Sequence, residues 1–249
     1  MYSNNIKRIF TVFVIIFFAF VATGAHAQQT TANLTSYFGF FGGVSRPLGE
    51  FKKADYYDNK SGFAKKGLTY GLDGAWYVYK HLAIGASITY QDNGQLNQAN
   101  ADSLASGYTN SYRADAATVT ATKRYQTVNI LLGPQYTITK GKFLLDLRAS
   151  AGILKVYSTP ETQNLVSDVP AQTAFFYQRS GNATVWAYSG TAALRFKLSD
   201  NVFLTARGAY MYSSGPSITN QGHTTNLGRL VTKQPFNTLN TTIGFNFGL

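Results

Sequence analysis

The sequence contains no cysteine among its 249 residues. This absence excludes disulfide-stapled scaffolds, thiolate metal sites, cysteine nucleophiles and a lipidated N-terminal cysteine. Charged residues are also scarce, at 13% against about 25% in typical soluble domains. Beyond the N-terminus, no stretch approaches the roughly 20 consecutive apolar residues that a membrane-spanning helix needs. A mature chain inserted in a membrane would therefore have to cross it with strands.

The N-terminus has the pattern of an export signal. Lys7 and Arg8 precede the apolar run 9–22, and Ala25-x-Ala27 forms a cleavage site before Gln28. A membrane anchor is the alternative, but the run is short and ends in small residues rather than a stop-transfer cluster. We therefore predict a removed signal peptide at 1–27, a short segment at 28–35 and one β-barrel domain at 36–249.

The remaining sequence is organised as hairpins. Three short polar turns, Lys80-His81, 139–142 and Ser199-Asp200, are each flanked by segments that alternate between apolar and small or polar residues. Longer segments rich in Asn, Ser, Thr, Gly, Asp and Lys separate these hairpins, as loops should. The predicted strands are 37–45, 67–79, 82–90, 126–138, 143–153, 184–198, 201–212 and 239–249, and the predicted loops are 46–66, 91–122, 158–182 and 213–236.

Three tight turns that alternate with four long loops predict an all-β fold, an eight-stranded antiparallel up-and-down transmembrane barrel. Bacterial outer-membrane barrels have short periplasmic turns and long extracellular loops. Closure requires the last strand to pair with the first, since an open edge is not tolerated in lipid. No stretch with the 3.6-residue period of a helix is found after the signal peptide, in agreement with an all-β fold.

The same alternation would fit a soluble ligand carrier with its faces inverted. The more polar face decides between the two, because it carries small residues and isolated charges rather than dense Lys and Glu. A narrow interior filled by small side chains and ion pairs is typical of a membrane barrel. Its predicted charges are Asp73, Asp146, Arg148, Arg195 and Arg207, which sum to +1. We expect a structural salt-bridge plug, with a gated small-ion pathway as the alternative.

Aromatic residues, 15% of the chain, form two predicted bands on the apolar face. Such bands match the girdles of membrane barrels at the two membrane–water interfaces. The turn-end band is Trp76, Tyr136, Phe143, Phe196, Phe245 and Phe247, and the loop-end band is Tyr90, Trp186, Tyr188, Tyr210 and Tyr212.

Three stretches carry a family resemblance: FGFFGGVSRPLGEF at 38–51, LLGPQYTITKGKFLLDLRASAG at 131–152 and the terminal IGFNFGL. They resemble the small outer-membrane β-barrel proteins of Gram-negative bacteria, of the OmpA-transmembrane-domain and OmpX type, and the barrel domains of the porin family. The resemblance implies location in the cell outer membrane and contact with the barrel-assembly machinery. Family members commonly end in an aromatic residue, whereas this chain has Phe247 and then ends in Leu249.

Catalysis is not expected, although some barrels of this type modify lipid A. Such an enzyme needs a nucleophile and a base near the loop end. His81 lies in a turn at the other end, and His223 precedes two threonines with no acid after it in the chain. Two histidines at opposite ends also make a metal site unexpected, and no cofactor is predicted.

The predicted function is a non-catalytic, structural or surface-interaction role, in adhesion or lipopolysaccharide contact. A low-conductance channel and a lipid A-modifying enzyme are the alternatives. The segment 51–66 interleaves Lys with Tyr, but Asp55 and Asp58 interrupt it in an exported loop, so nucleic acid is not a predicted partner. Outer-membrane lipids and lipopolysaccharide phosphates are the predicted partners of Lys52, Lys53, Lys65, Lys66, Lys123 and Arg124.

Overall fold

The structure is a computed structural model that describes residues 34–168, 172–218, 220–222 and 233–249. The predicted signal peptide and His223 lie outside these residues. Strands are numbered along the chain, and Thr35–Leu249 forms one compact unit. The barrel strands are β1 (Tyr37–Pro47), β2 (Gly67–Tyr79), β3 (Leu82–Asp92), β5 (Gln126–Lys140), β6 (Phe143–Ser158), β9 (Ala183–Lys197), β10 (Val202–Ser213) and β12 (Phe236–Gly248).

These eight strands form a closed antiparallel barrel in which each strand pairs with the next barrel strand along the chain. The last strand closes the circle against the first, with Phe38 opposite Phe247 and Phe41 opposite Gly244. Beyond the strand, the Leu249 amide donates a 2.9 Å hydrogen bond to the Ser36 carbonyl. The predicted eight-stranded up-and-down barrel is therefore confirmed, including the pairing of its terminal strands.

The two faces of each strand differ as the alternation predicts. In β12, Thr238, Asn240 and Thr242 point inward and are buried, while Ile243 and Phe245 point outward and are exposed. In β6, Asp146 and Arg148 are buried, and the more exposed Leu145, Leu147 and Ala149 alternate with them. The outer surface is apolar and the interior towards the turns is polar and charged, which reverses the arrangement of a water-soluble domain.

The loops contain helices that the sequence pattern did not indicate. A short helix spans Gly49–Lys52, and a loop helix spans Gln98–Tyr112. The apolar periodicity of the loop helix is weak, because its sequence is rich in Gln, Asn, Ser and Thr. Its start is nevertheless capped, since the Asn97 side chain accepts a 2.9 Å hydrogen bond from the Asn100 amide. No helix within the described residues is long and apolar enough to cross a bilayer.

Four loop strands form a second sheet at the loop end, which we call the rim sheet. Its order is β11 (Asn220–Gly222), β8 (Gln172–Gln178), β7 (Glu161–Asp168) and β4 (Ala116–Thr122). The loop helix contributes to an apolar core with this sheet, which we call the rim core. The rim core consists of Tyr56, Phe63, Leu96, Ala101, Leu104, Tyr108, Ala114, Val119 and Val166.

Candidate functional site

The interior near the turns contains a bidentate ion pair. Arg195 donates from Nε to Asp146 Oδ2 at 2.6 Å and from Nη2 to Asp146 Oδ1 at 2.9 Å. Thr137 donates its hydroxyl to the same carboxylate at 2.6 Å, and Arg195 also donates to the Tyr77 hydroxyl at 2.7 Å. Both charged side chains are buried. Every charge of this pair is therefore satisfied by hydrogen bonds, as a buried pair requires.

A second bidentate pair lies one layer further from the turns. Arg148 donates to Asp73 Oδ1 at 2.7 Å and to Asp73 Oδ2 at 3.1 Å, and its Nη2 also reaches Gln135 Oε1 at 2.6 Å. Tyr37 links the two layers, because Arg148 donates to its hydroxyl at 3.2 Å and the Arg195 guanidinium carbon lies 4.0 Å above its ring. The two pairs and Tyr37 form one continuous cluster across the barrel.

Glycine at position 85 makes room for this cluster. Gly85 faces the interior on β3, and a Cβ atom there would overlap the Arg148 guanidinium. Sequence reasoning named the charges but missed Gly85, Tyr37, Tyr77, Gln135 and Thr137. Their inward positions follow from the alternation, so a search for polar and glycine residues on the charged face would have found them.

Arg207 is placed differently from the other predicted interior charges. Its Nη2 lies 3.8 Å from Asp73 Oδ1, beyond hydrogen-bond distance, and its guanidinium carbon lies 4.5 Å from the centre of the Phe41 ring. The structure thus brings all five predicted interior charges together, but only four of them form bidentate pairs.

The loop end of the interior is filled by apolar side chains. Phe51, on the short helix, is fully buried, with its ring centre 4.9 Å from that of Tyr125 and 4.6 Å from that of Phe236. Leu154 and Met211 belong to the same buried group, which we call the Phe51 cap. This cap is not predictable from the sequence pattern, because an isolated Phe in a polar loop has no periodic partner.

Both predicted aromatic bands lie on the outer face of the barrel. Trp76, Tyr136 and Phe143 are exposed towards the turns, and Trp186, Tyr188, Tyr210 and Tyr212 are exposed towards the loops. Phe196, Phe247 and Tyr90 are half-buried between outward neighbours, as in the Phe143–Phe196 contact with ring centres 5.0 Å apart. Exposed Ile84, Leu132 and Ile243 lie between the bands. Phe38, Phe40 and Tyr70 are further exposed aromatic residues that the predicted bands did not include.

The six predicted lipopolysaccharide-contact residues fall into two groups. Lys53 lies 2.7 Å from Asp58, Lys123 lies 2.9 Å from Glu161, and Arg124 lies 2.9 Å from Asp92. The hydrogen bond to Asp58 raises the pKa of Lys53. Lys52, Lys65 and Lys66 form no ion pair with a described carboxylate. Half of the group is thus already neutralised within the chain.

His81 and His223 are the two histidines on which the expectation of no catalytic or metal site depends. His81 Nδ1 lies 2.9 Å from the Thr137 carbonyl oxygen at the turn end, and His223 is not among the described residues. No group of three His, Asp or Glu residues within the described ranges could hold a metal ion.

A closed barrel with an apolar, aromatic-banded exterior and charged pairs in its interior has the architecture of a transmembrane β-barrel. No protein-family profile and no curated sequence matches the chain. Solved structures do resemble it, and three of them are described next, each with 86% or more of both chains covered.

Neisserial surface protein A is 11% identical with a TM-score of 0.44, over 86% of this chain and 97% of the other. Ail, the attachment invasion locus protein of Yersinia pestis, is 11% identical with a TM-score of 0.38 over the same shares. The outer membrane protease OmpT from Escherichia coli is 10% identical with a TM-score of 0.34, over 90% and 99%. At identities this low, the similarity shows the fold and does not assign an activity to this chain.

Proposed function

We propose that this chain is a non-catalytic outer-membrane protein whose plugged barrel anchors a folded rim at the cell surface. The observation that carries the proposal is the rim itself, in which loop segments build a sheet and a helix around their own apolar core. Loops that only join strands have no need of such a core. An ordered platform on a rigid scaffold favours a surface-interaction role.

The absence of cysteine allows a direct test of location and orientation. Tyr57 is exposed at the loop end, and Asp200 is exposed in a turn at the other end. A membrane-impermeant maleimide added to intact Gram-negative cells should label Tyr57→Cys. It should label Asp200→Cys only after the outer membrane is disrupted. The reverse pattern would show that the barrel is oriented with its turns outside.

Filled layers at both ends of the interior favour an anchor over a channel. The turn half holds the two ion pairs, and the loop end holds the Phe51 cap. Planar-bilayer recordings of the refolded protein should therefore show no discrete conductance. The variant Phe51→Ala combined with Arg148→Ala removes one group from each layer and should introduce conductance steps. Steps in the unchanged protein would favour the low-conductance channel instead.

Lipopolysaccharide contact is assigned to Lys52, Lys65 and Lys66, which keep their charges unpaired within the described chain. Replacing all three with Gln should weaken stabilisation of the barrel by phosphorylated lipopolysaccharide, and dephosphorylated lipopolysaccharide should show no difference. The matched control replaces Lys53, Lys123 and Arg124 with Gln, which removes the same charge from residues that already have carboxylate partners. Equal losses in the two triple variants would argue against a specific contact.

The non-catalytic assignment is tested on the two mature-chain histidines. Neither His81→Ala nor His223→Ala should change the lipid A species extracted from cells that express the protein. A lipid A modification that disappears with His223→Ala would support the enzyme alternative, because His223 lies in the last loop of the sequence.

A further inference from the structure

The interior of the barrel carries one positive charge more than its ion pairs neutralise. Arg195 is paired with Asp146, and Arg148 takes both oxygens of Asp73. Arg207 can share Asp73 only at 3.8 Å. Buried charges in proteins are normally paired and hydrogen-bonded, because desolvation without a partner is costly. Arg207 lacks such a partner of its own.

Arg207 packs on an aromatic ring, and its Nε donor has no acceptor among the described residues. The guanidinium carbon of Arg207 lies 4.5 Å from the centre of the Phe41 ring, in a cation–π contact. The Arg207 side chain is only 8% exposed. The guanidinium N–H groups point outward within its plane, so a ring that contacts the flat face does not accept hydrogen bonds from them. Among the described residues, Nε of Arg207 has no hydrogen-bond partner.

A small interior cavity adjoins this guanidinium, with polar side chains on one part of its wall and Phe41, Leu131, Ala209 and Met211 on the rest. Ser87, Thr89, Asn129, Asn240 and Thr242 line it together with Arg207. The Asn240 Oδ1 and Thr242 Oγ1 atoms are buried and, like Arg207 Nε, have no partner within the described chain. The Thr242 hydroxyl can donate, and a rotated Asn240 amide presents its NH₂ group to the same space. Three unsatisfied polar groups and one excess positive charge therefore meet at one cavity.

We propose that this cavity binds one small monovalent anion of halide size. The anion would accept a hydrogen bond from Arg207 Nε and from the Thr242 hydroxyl, and it would neutralise the excess charge. The cavity has room for about one water-sized group, which excludes phosphate, sulfate and carboxylate ligands. A cation is disfavoured by the guanidinium, since Asp73 is already held by Arg148.

The test compares salts on the refolded protein in a non-ionic detergent. Barrel unfolding is followed as the temperature at which the compact gel band is lost, in sodium bromide and in sodium gluconate at equal ionic strength. At a bromide concentration ten times the dissociation constant, we expect a rise of about 3–6 °C over gluconate. Crystals soaked in bromide should show an anomalous peak beside Arg207 Nε.

Arg207→Met should abolish the bromide-specific rise, and the matched control Arg46→Met should keep it. Arg46 is exposed on the outer face of β1, so its replacement removes the same charge outside the interior. If Arg207→Met does not fold, Thr242→Val keeps the guanidinium and should reduce the rise. Equal unfolding temperatures in the two salts, or a crystal peak absent from the cavity, would overturn the proposal and leave water as its only occupant.

Discussion

The barrel and the rim are both antiparallel β structures, but they place their apolar residues on opposite sides. In the barrel, Ile243 is 65% exposed on the outer face, while Asp146 and Arg195 are buried inside. In the rim, Leu104 and Val166 are buried in a shared core. The chain therefore changes from an inverted arrangement to an ordinary one at the loop end of the barrel.

This change marks where the surroundings of the chain change from lipid to water. An apolar outer face is stable against hydrocarbon, whereas a buried apolar core is stabilised by exclusion of water. The Phe51 cap lies at the boundary, since it packs apolar side chains inside the barrel end, next to the rim. Substitutions of the same kind should consequently have different effects in the two regions.

The largest expected effect comes from breaking a buried pair inside the barrel. Asp146→Leu leaves the Arg195 guanidinium without its bidentate partner and should cost about 3–5 kcal/mol of folding free energy. Urea-dependent folding in lipid vesicles measures the loss. The double variant Asp146→Leu with Arg195→Met removes both charges and should recover most of it. A double variant as unstable as the single one would show that packing, rather than the orphaned charge, dominates.

The second prediction compares an exposed apolar residue from each region. Ile243→Lys places a charge on the outer face of the barrel at mid-strand and should cost about 2–4 kcal/mol in a bilayer. Leu165→Lys is the matched change on the rim sheet, where Leu165 is 46% exposed, and it should stay within about 0.5 kcal/mol. Both are measured by folding into vesicles. Similar costs at the two positions would contradict the lipid–water boundary.

The third prediction compares two buried leucines. Leu104→Ala opens a gap in the rim core, and Leu154→Ala opens one under the Phe51 cap. Losses of about 2–5 kcal/mol are typical of such changes, but the first should act locally. Leu104→Ala should speed proteolysis within 91–122 without lowering the temperature at which the compact gel band is lost. Leu154→Ala should lower that temperature. A barrel that melts earlier in both variants would mean that rim and barrel unfold together.

The barrel could be predicted from the sequence, whereas the rim could not. Barrel strands were predictable because inward and outward residues meet different surroundings, and β2 matches its predicted bounds of 67–79. The interior charges were predictable as inward residues for the same reason. The rim was not, because the loop helix has weak apolar periodicity and β4 pairs with a strand some forty residues later. The short sequence AATVTAT gives no sign of such a distant partner.

The smallest expected effect concerns an ion pair in the rim. The Tyr177 hydroxyl donates a 2.6 Å hydrogen bond to Glu161, and Lys123 lies 2.9 Å away. First the Tyr177 hydrogen bond and then Lys123 lower the pKa of Glu161 below its ordinary value. The pKa of an unfolded Glu is about 4.3. Because the folded pKa is the lower one, the stabilisation is complete above the unfolded value and is lost as the pH falls through the folded value.

We therefore expect amide exchange in β7 and β8, corrected for the intrinsic rate, to lose protection as the pH falls below about 4. Amides in β5 and β6 should keep their protection over the same pH range. Any loss there that comes from the interior acids should change when the same exchange series is measured on the double variant Asp146→Leu with Arg195→Met. Glu161→Gln removes the titrating group and should flatten the rim profile, at the cost of somewhat lower protection at neutral pH. Tyr177→Phe keeps the carboxylate and the Lys123 contact but brings the folded pKa of Glu161 closer to the unfolded one, so its loss of protection should be smaller and should be complete at a higher pH than in the unchanged protein. If Glu161→Gln leaves the pH dependence of protection in β7 and β8 unchanged, another group causes that dependence and the Glu161 pair has no stabilising role.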